Sequence, residues 1–354
     1  MPCSEVKRPS IDQPFVSGSL ESVAGPIPVV PTKLGWRDRL GGWKVRWDIG
    51  RFHYTVDPGL YAVGRPGDRS AVLVTANYKL TFDALRRELS GRDVWVLVLD
   101  TRGINVWCAA GKGTFGTDEV VRRIEAAQLN LVVSHNVVVL PQLGAPGVSA
   151  PDVKRRSGFR VAWGPVRAAD LPAFLDAGMR ATTEMRRVRF PLRDRMLLVP
   201  VELVGAAGIG LAIIAAAAVI GGLGPGIFSL QRALQAAWPA AIVVVATMVA
   251  GGLVTPALLP WLPGRMFALK GAEVGALAAI ATLVPLAWAF SALRLAPYAL
   301  FMVAGSSFIA MNYTGTSTFT SLSGVKKEMR SALPWQVGAA AMAAVLWIAG
   351  GFIR

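Results

Sequence analysis

Few side chains in this sequence can do metal or covalent chemistry. There are two cysteines, Cys3 and Cys108, and two histidines, His53 and His135. Structural zinc and iron–sulfur sites commonly take four ligands, so this chain alone is not expected to build either, and a disulfide framework is excluded in practice. Attention falls on Cys108, within TRGINVWCAAGKGTFG at 101–116. It lies beside Trp107 on a short helical segment, Asn105–Ala110, among the small residues Ala109, Ala110 and Gly111. Two readings stay open: a small buried hydrophobe, or a thiolate near a helix start with Lys112 close by, able to ligate or react. The GKGT of the same stretch looks like the end of a phosphate-binding loop. The glycine that such a loop needs ahead of its GK pair is Val106 here, however. DxHxxG does not occur, and the one GxGxxG spacing, GKGTFG at 111–116, follows the short helical segment and not a strand, so nucleotide binding and a histidine-ligated corrinoid site lack support. His135 reads as structural.

The elements around this segment alternate. Ser70–Ala76, Asp93–Asp100, Val137–Leu140 and Phe159–Trp163 are short apolar runs suited to buried strands. Helices are expected from Thr81 to Leu89, from Thr117 with Val120, Val121, Ile124 and Ala127 at helical spacing, around Asp152–Arg156, and over Leu171–Ala177. This order implies a parallel, Rossmann-like α/β sheet with ligands at the carboxyl ends of its strands. Those ends lead into Asn77-Tyr78-Lys79, Thr101–Lys112, Pro141–Gly147 and Gly164-Pro165.

Composition divides the chain. It is 53% hydrophobic and 17% charged, with a net charge of +15. Residues 196–354 hold eight basic and three acidic side chains, leaving 29 and 19 for residues 1–195. Apolar stretches near 197–221, 237–260, 272–293, 295–312 and 333–353 are each about the length of a bilayer-crossing helix. The expected organisation is a flexible Pro- and Ser-rich tail at 1–40, an α/β domain at 41–180, a basic linker at 181–195, and an all-α transmembrane domain of five helices at 196–354. Eleven basic residues, from Arg180–Arg195 through Arg265 and Lys270 to Lys326, Lys327 and Arg330, fall on one side of such a topology; Arg232, Arg294 and Arg354 fall on the other. By the positive-inside rule the first half is cytoplasmic and the C-terminus outside. This places the protein in the inner membrane and assigns its basic excess to lipid, not to nucleic acid. The N-terminus has no apolar core of a signal peptide. Glu202 and Glu273 are the intramembrane carboxylates, and Thr314–Met329 is a polar connector or a docking surface.

Asn105-Val106-Trp107-Cys108-Ala109-Ala110-Gly111-Lys112 resembles the N(V/I)WCA(A/G)GK motif of the mercury-methylating corrinoid protein family (HgcA). The resemblance runs from about residue 40 to the end, through PQLGAPG at 141–147, GPVRAADLPAFLDAG at 164–178 and the spans. More distantly, the first half is similar to the corrinoid-binding domain of the corrinoid iron–sulfur protein of acetyl-CoA synthesis. The resemblance implies a base-off cobalamin over the carboxyl edge of the sheet, with Asn105–Lys112 as a cap helix and Cys108 as catalytic residue and lower axial cobalt ligand. A thiolate trans to a methyl group favours its departure with the bonding electrons, the form that Hg(II) accepts. Ala109, Ala110 and Gly111 would let the helix approach the corrin; Thr75, Asn77, Gln142, Leu143, Gly144, Gly164 and Pro165 are further contacts suggested by strand-end position. The methyl group would come from a methyltetrahydrofolate-linked donor, and electrons from a small partner ferredoxin with two 4Fe–4S clusters. The alternatives are a corrinoid methyl carrier for another acceptor, and a non-catalytic membrane protein that binds a corrinoid or an ion.

Overall fold

The computed structural model describes residues 8–288, 291–316 and 322–352. The chain forms two compact units, Met1–Val45 with Ile49–Val188, and Arg46–Asp48 with Arg189–Arg354.

The first unit holds one sheet of seven strands: β1 (Gly18–Leu20), β2 (Ile27–Val29), β3 (Gly59–Val63), β4 (Val72–Ala76), β5 (Val94–Leu99), β6 (Val137–Leu140) and β7 (Arg160–Trp163). Their order is β1-β2-β3-β5-β4-β6-β7. Strands β4 to β7 pair in parallel, whereas β3 lies antiparallel to β5, with Gly59 opposite Val98 and Val63 opposite Val94. All six residues of β5, VWVLVL, are buried, as expected where both faces of a parallel sheet are covered. The helices are α1 (Trp36–Arg46), α2 (Lys79–Arg87), α3 (Val106–Lys112), α4 (Thr117–Ala126), α5 (Leu129–Val132), α6 (Ala150–Ser157) and α7 (Leu171–Asp176). Side chains alternate along each strand. Leu73, Val96, Val98 and Val139 meet Phe82, Leu85 and Leu89 of the α2 region and Phe174 of α7. Val72, Val74, Leu97 and Leu140 meet α3, Val120 and Ile124 of α4, and Val153 of α6. The connection leaving β4 therefore covers one face and that leaving β6 the other. The crevice where such a sheet takes ligands opens between the carboxyl ends of these two neighbours.

The four expected strands and their helices are present, but the sheet is mixed, since β3 runs against its neighbour. The stretch expected as a tail carries β1, β2 and the start of α1. These strands have three residues each, and Pro26 and Pro28 mark β2 as the kind of strand that proline tolerates only near an edge. His135 accepts the Val137 amide at 3.3 Å, with its Nε2 2.9 Å from the Ser70 carbonyl, at the amino ends of β6 and β4. It is structural.

Helix α1 is fixed by buried charge. Asp38 meets Lys79 Nζ at 2.7 Å and Arg86 Nη2 at 2.8 Å, and Asp83 meets the same two cations at 2.7 and 2.8 Å. The Phe15 ring lies 4.5 Å from Lys79 Nζ. Burial pushes the Asp38 carboxyl up, but the ion pairs with Lys79 and Arg86 outweigh it and hold the group below the usual carboxylate range.

The second unit is helical: α8 (Leu192–Met196), α9 (Val199–Gly222), a hairpin of β8 (Leu223–Gly224) and β9 (Ile227–Phe228), α10 (Leu230–Val249), α11 (Thr255–Leu258), α12 (Phe267–Leu283), α13 (Ala292–Thr316) and α14 (Leu322–Phe352). A π-helical turn at Ala250–Val254 joins α10 to α11. Among the described residues four helical stretches are long and apolar enough to cross a membrane: Leu192–Gly222, Leu230–Leu258, Ala292–Tyr313 and Ser323–Gly350. The expectation of five is not met on this measure. The third expected span forms α12, which has 17 residues before Pro285 tightens the chain into a 3-10 turn. The fourth expected span, interrupted in sequence by Ser and Gly, is a continuous helix of 25 residues. The expected connector Thr314–Met329 is largely helical, with α13 reaching Thr316 and α14 starting at Leu322; residues 317–321 lie outside the described ones.

Small residues bring α12 against α13. A Cβ on Gly271 would stand 2.5 Å from Ala310 Cβ and 2.6 Å from the Ser306 carbonyl oxygen, and one on Gly275 would stand 2.8 Å from the Met302 carbonyl oxygen. The rising and falling numbers make the pair antiparallel, and the spacing is the small-xxx-small pattern of close packing in lipid. Gly271→Leu is expected to overpack this contact and destabilise the unit by about 3 kcal/mol or more, read as a lower melting temperature in detergent. Polar groups pair across α12, α13 and α14. Ser307 Oγ donates to the Ala268 carbonyl at 2.8 Å, Gln336 Nε2 donates to Ser307 Oγ at 2.9 Å, and Glu328 accepts the Ala268 amide at 2.6 Å.

Candidate functional site

Every candidate residue is carried by β4 or by the loops that leave the carboxyl ends of β4, β5, β6 and β7. The loop after β4 begins with Asn77, which is 6% exposed. Its Oδ1 accepts from the Thr101 amide at 3.0 Å, the Thr101 hydroxyl at 2.8 Å and the Gly103 amide at 3.0 Å. Its Nδ2 reaches Asp100 Oδ1 at 3.4 Å. Asn77 thus pins the loop after β5, and Thr75 is 1% exposed inside β4. Both residues, expected as cofactor contacts from their strand-end positions, are buried supports. The pinned turn passes through two left-handed residues, Arg102 (φ 57°) and Gly103 (φ 71°). Glycine is needed at the second, because a Cβ there would stand 2.8 Å from Thr55 Cγ2.

The turn delivers the chain into α3. The Asn105 side chain accepts the Cys108 amide at 2.9 Å, satisfying one of the unpaired N–H groups at the start of the helix. Gly113 (φ 80°) closes the helix with a left-handed cap, and Gly116 precedes α4. Gly113 of the GKGT stretch therefore ends one helix, and Gly116 beyond it starts the next.

Helix α3 has two faces. Val106, Ala109 and Ala110 are buried in the core with Phe115. Trp107 and Cys108 are half-buried, and Gly111 and Lys112, one turn on, are exposed. Ala109 and Ala110, expected to let the helix approach a flat ligand, let it approach the protein instead. A Cβ on Gly147 would stand 3.0 Å from Ala110 Cα, so two small residues seat α3 on the 3-10 segment Gln142–Gly147. Of the other expected contacts, Gly144 is covered by the Phe115 ring and Leu143 packs on the core. Gly164 and Pro165 are buried. Gln142 is half-buried, with its Oε1 accepting from Arg186 at 3.0 Å. The accessible face thus holds Asn105, Trp107, Cys108, Gly111 and Lys112, with Gln142 on the neighbouring loop.

Burial pushes the Cys108 thiol up, while Asn105, Lys112 and Arg51 pull it the other way without reversing the shift. Among the described residues no group of three or more His, Cys, Asp or Glu side chains is arranged to hold a metal ion. A metal at Cys108 would have to bring its remaining ligands with it.

Sequence reading missed the segment 51–56, which crosses the ends of β4 and β5. The Val56 amide donates to the Asn77 carbonyl at 2.9 Å, the Lys79 amide donates to the Tyr54 carbonyl at 2.9 Å, and Thr55 bridges to Tyr78. No local periodicity marks this segment. The helix-capping role of Asn105, three residues before Cys108, does have a recognisable spacing.

A family model described as CO dehydrogenase/acetyl-CoA synthase delta subunit matches residues 50–175. The chain is 36% identical over 123 residues to the acetyl-CoA decarbonylase/synthase complex subunit gamma of Methanopyrus kandleri, covering 34% of this chain and 26% of the relative. It is 35% identical over 125 residues to subunit gamma 2 of Methanosarcina thermophila, with the same shares. It is 30% identical over 123 residues to subunit gamma of Archaeoglobus fulgidus, again with the same shares. The chain spans about a quarter of the length of these curated relatives. The part matched by the family model runs from before β3 through most of α7 and contains α3 and every loop of the carboxyl edge.

Proposed function

We propose that the chain is a membrane-anchored corrinoid methyltransferase that carries a methyl group from a methyltetrahydrofolate-linked donor to Hg(II), with Cys108 as the residue that would ligate the cobalt. The observation that carries the reading is a half-exposed thiol, Cys108, held on a rigidly docked helix at the carboxyl edge of the sheet, in the segment matched by the CO dehydrogenase/acetyl-CoA synthase delta subunit family model. The accessible face of α3 fits a broad, flat cofactor. Gly111 offers no side chain, Trp107 offers an aromatic surface, and Lys112 is the one charge on it. A bound base-off cobalamin supplies a cobalt that takes up and releases methyl groups.

The protein's own part is positional and protonic. Val106, Ala109 and Ala110 lock α3 to the core, Asn105 holds the Cys108 amide, and Asn77 holds the loop that feeds the helix. Cys108 would hold the cobalt as a thiolate, so it would have to give up its proton on ligation. Because that thiol is raised, apparent cobalamin affinity is expected to climb about tenfold per pH unit below its pKa and to level off above it. Titrations followed by visible absorbance check the slope, which is expected to vanish in Cys108→Ala.

The remaining parts of the reading concern partners and membrane. Electrons would come from a small ferredoxin with two 4Fe–4S clusters. We take α12 as a fifth crossing, since it runs antiparallel beside α13 along most of that helix. The first unit is then cytoplasmic and the C-terminus outside. A C-terminal alkaline phosphatase fusion is expected to be active in cells; an inactive phosphatase with a fluorescent C-terminal green fluorescent protein would mean an even number of crossings.

A second reading, a methyl carrier for an acceptor other than mercury, is favoured by the acetyl-CoA names of the relatives. Methylmercury assayed from cells carrying the gene, the Cys108→Ala allele or neither separates the two. Methylmercury that depends on Cys108 supports the first reading, and its absence beside a normal cobalamin spectrum supports the second.

A further inference from the structure

At the β2–β3 end of the sheet a cleft opens between the strands and α4. The buried residues Ala24, Ile27 and Leu60 give it an apolar floor, and Ala126 at the end of α4 adds to it. Two guanidinium groups line the same cleft, Arg8 from the segment before β1 and Arg123 from α4. The segment that follows Arg8 is tied down. The Ser10 amide donates to Asp57 Oδ2 at 3.0 Å, while Gln13 donates to the Tyr61 hydroxyl at 2.9 Å and accepts the Asp57 amide at 3.0 Å. The Arg8 guanidinium lies where a Cβ on Gly25 would stand, and Gly25 has φ 95°. Glycine at 25 thus serves both the turn and the seat of Arg8. Arg123 is 6% exposed. Its Nε donates to Glu119 Oε1 at 2.7 Å, its Nη1 reaches the Pro58 carbonyl only at 3.5 Å, and among the described residues its Nη2 makes no hydrogen bond. Glu119 is itself shared with Arg122 and with the Asp100 amide at 2.7 Å. One carboxylate therefore serves two guanidinium groups, and Arg8 forms no ion pair among the described residues.

We propose that this cleft binds a small oxyanion with a short apolar body, a carboxylate or a phosphate monoester. Arg8 and Arg123 take the anionic head, and the body lies on Ala24, Ile27 and Leu60. Burying a cation is costly unless its charge and its donors are met, and Arg123 is buried with half a carboxylate and donors to spare. An oxyanion supplies both, because a planar guanidinium offers paired donors in the geometry that carboxylate and phosphate accept. The apolar floor favours a ligand that carries carbon behind its charge over a bare ion. No residue of α3 lines the cleft, so the site is distinct from that of Cys108 and does not depend on a corrinoid there. The two are joined through Glu119, which binds both Arg123 and the Asp100 amide at the start of the loop that leads to α3.

The test is isothermal titration calorimetry on the full chain in an uncharged detergent at fixed ionic strength. The probes are monobutyl phosphate and butyrate, with inorganic phosphate as the reference. The expected result is one saturable site per chain for at least one of the two probes, several-fold tighter than for inorganic phosphate; the tighter probe identifies the head. Arg8→Gln and Arg123→Gln are each expected to weaken it by about tenfold or more, and Gly25→Ala to do the same by displacing Arg8. Arg155→Gln, at an exposed position on α6, should leave it unchanged. Arg8 is exposed and pairs with no carboxylate, so Arg8→Gln should keep the wild-type melting temperature and keeps the test readable if Arg123→Gln fails to fold. No saturable heat at millimolar probe, or an affinity undiminished in Arg8→Gln, overturns the proposal. Inorganic phosphate bound as tightly as both probes overturns the assignment of an apolar body. An equal loss in Arg155→Gln overturns the cleft in favour of diffuse attraction to a basic surface.

Discussion

Replacing Cys108 with alanine is expected to lower methyl transfer by more than about 100-fold, because losing a ligand removes more than the 10–100-fold that an outer partner contributes. The fold should survive. Cys108 is half-buried on the accessible face of α3, while the contacts that dock the helix belong to Val106, Ala109 and Ala110. Circular dichroism and melting temperature should therefore stay near wild type while the visible spectrum of added cobalamin changes. Cys108→Ser is the sharper variant. It preserves size and the Asn105 cap but offers cobalt a hydroxyl, which does not ionise at neutral pH. It should behave as the alanine variant does. Activity retained in both, with an unchanged cobalt spectrum, would return Cys108 to the bland role of a small hydrophobe.

The second large effect is expected at a residue that touches no ligand. Asn77→Leu leaves the Thr101 amide, the Thr101 hydroxyl and the Gly103 amide without their shared acceptor in a buried turn. The Thr101 hydroxyl keeps its bond to the Ile104 carbonyl at 2.6 Å, so two amides are orphaned outright. At about 1–3 kcal/mol for each buried donor, the loss is on the order of 3 kcal/mol or more, and it falls on the turn that launches α3. Denaturant unfolding should show the lost stability, and cobalamin affinity should fall with it even where the variant stays folded. Asn77→Asp is expected to restore the acceptor but to face Asp100 across the former 3.4 Å contact, giving a loss that eases as pH is lowered. A leucine variant with wild-type stability and affinity would mean that the loop does not depend on Asn77.

Strands β4 to β7 were legible because each is a short apolar run bounded by polar residues, and buried parallel strands need nothing else. The motif helix was placed at Asn105–Ala110, close to the observed Val106–Lys112. The facing of α3 was not legible. Which side of Ala109 and Ala110 meets the protein depends on Gly147 and Phe115, which approach from elsewhere in the chain. Strand β3 and the short strands β1 and β2 were missed for a related reason: three to five residues among prolines and glycines leave no periodicity, and their pairing is long-range. Strand-end position marked Asn77 as a ligand contact, whereas its hydrogen bonds to Thr101 and Gly103, from a distant part of the chain, turn it inward. In the helical unit, composition located four stretches that form helices long and apolar enough to cross a membrane, but not their ends, and it counted the shorter α12 as a fifth. Ser and Gly within α13 suggested weakness, whereas Ser306 and Ser307 are buried against α10 and α12, where their hydroxyls meet carbonyls.

The central claim is that Cys108 supplies sulfur to a cobalt bound at the carboxyl edge. X-ray absorption at the cobalt edge, recorded on the full-length protein loaded with cobalamin, tests it most directly. The account predicts one sulfur scatterer in the first coordination shell of the wild type, absent in Cys108→Ala. A first shell of nitrogen and oxygen alone in the wild type would contradict it.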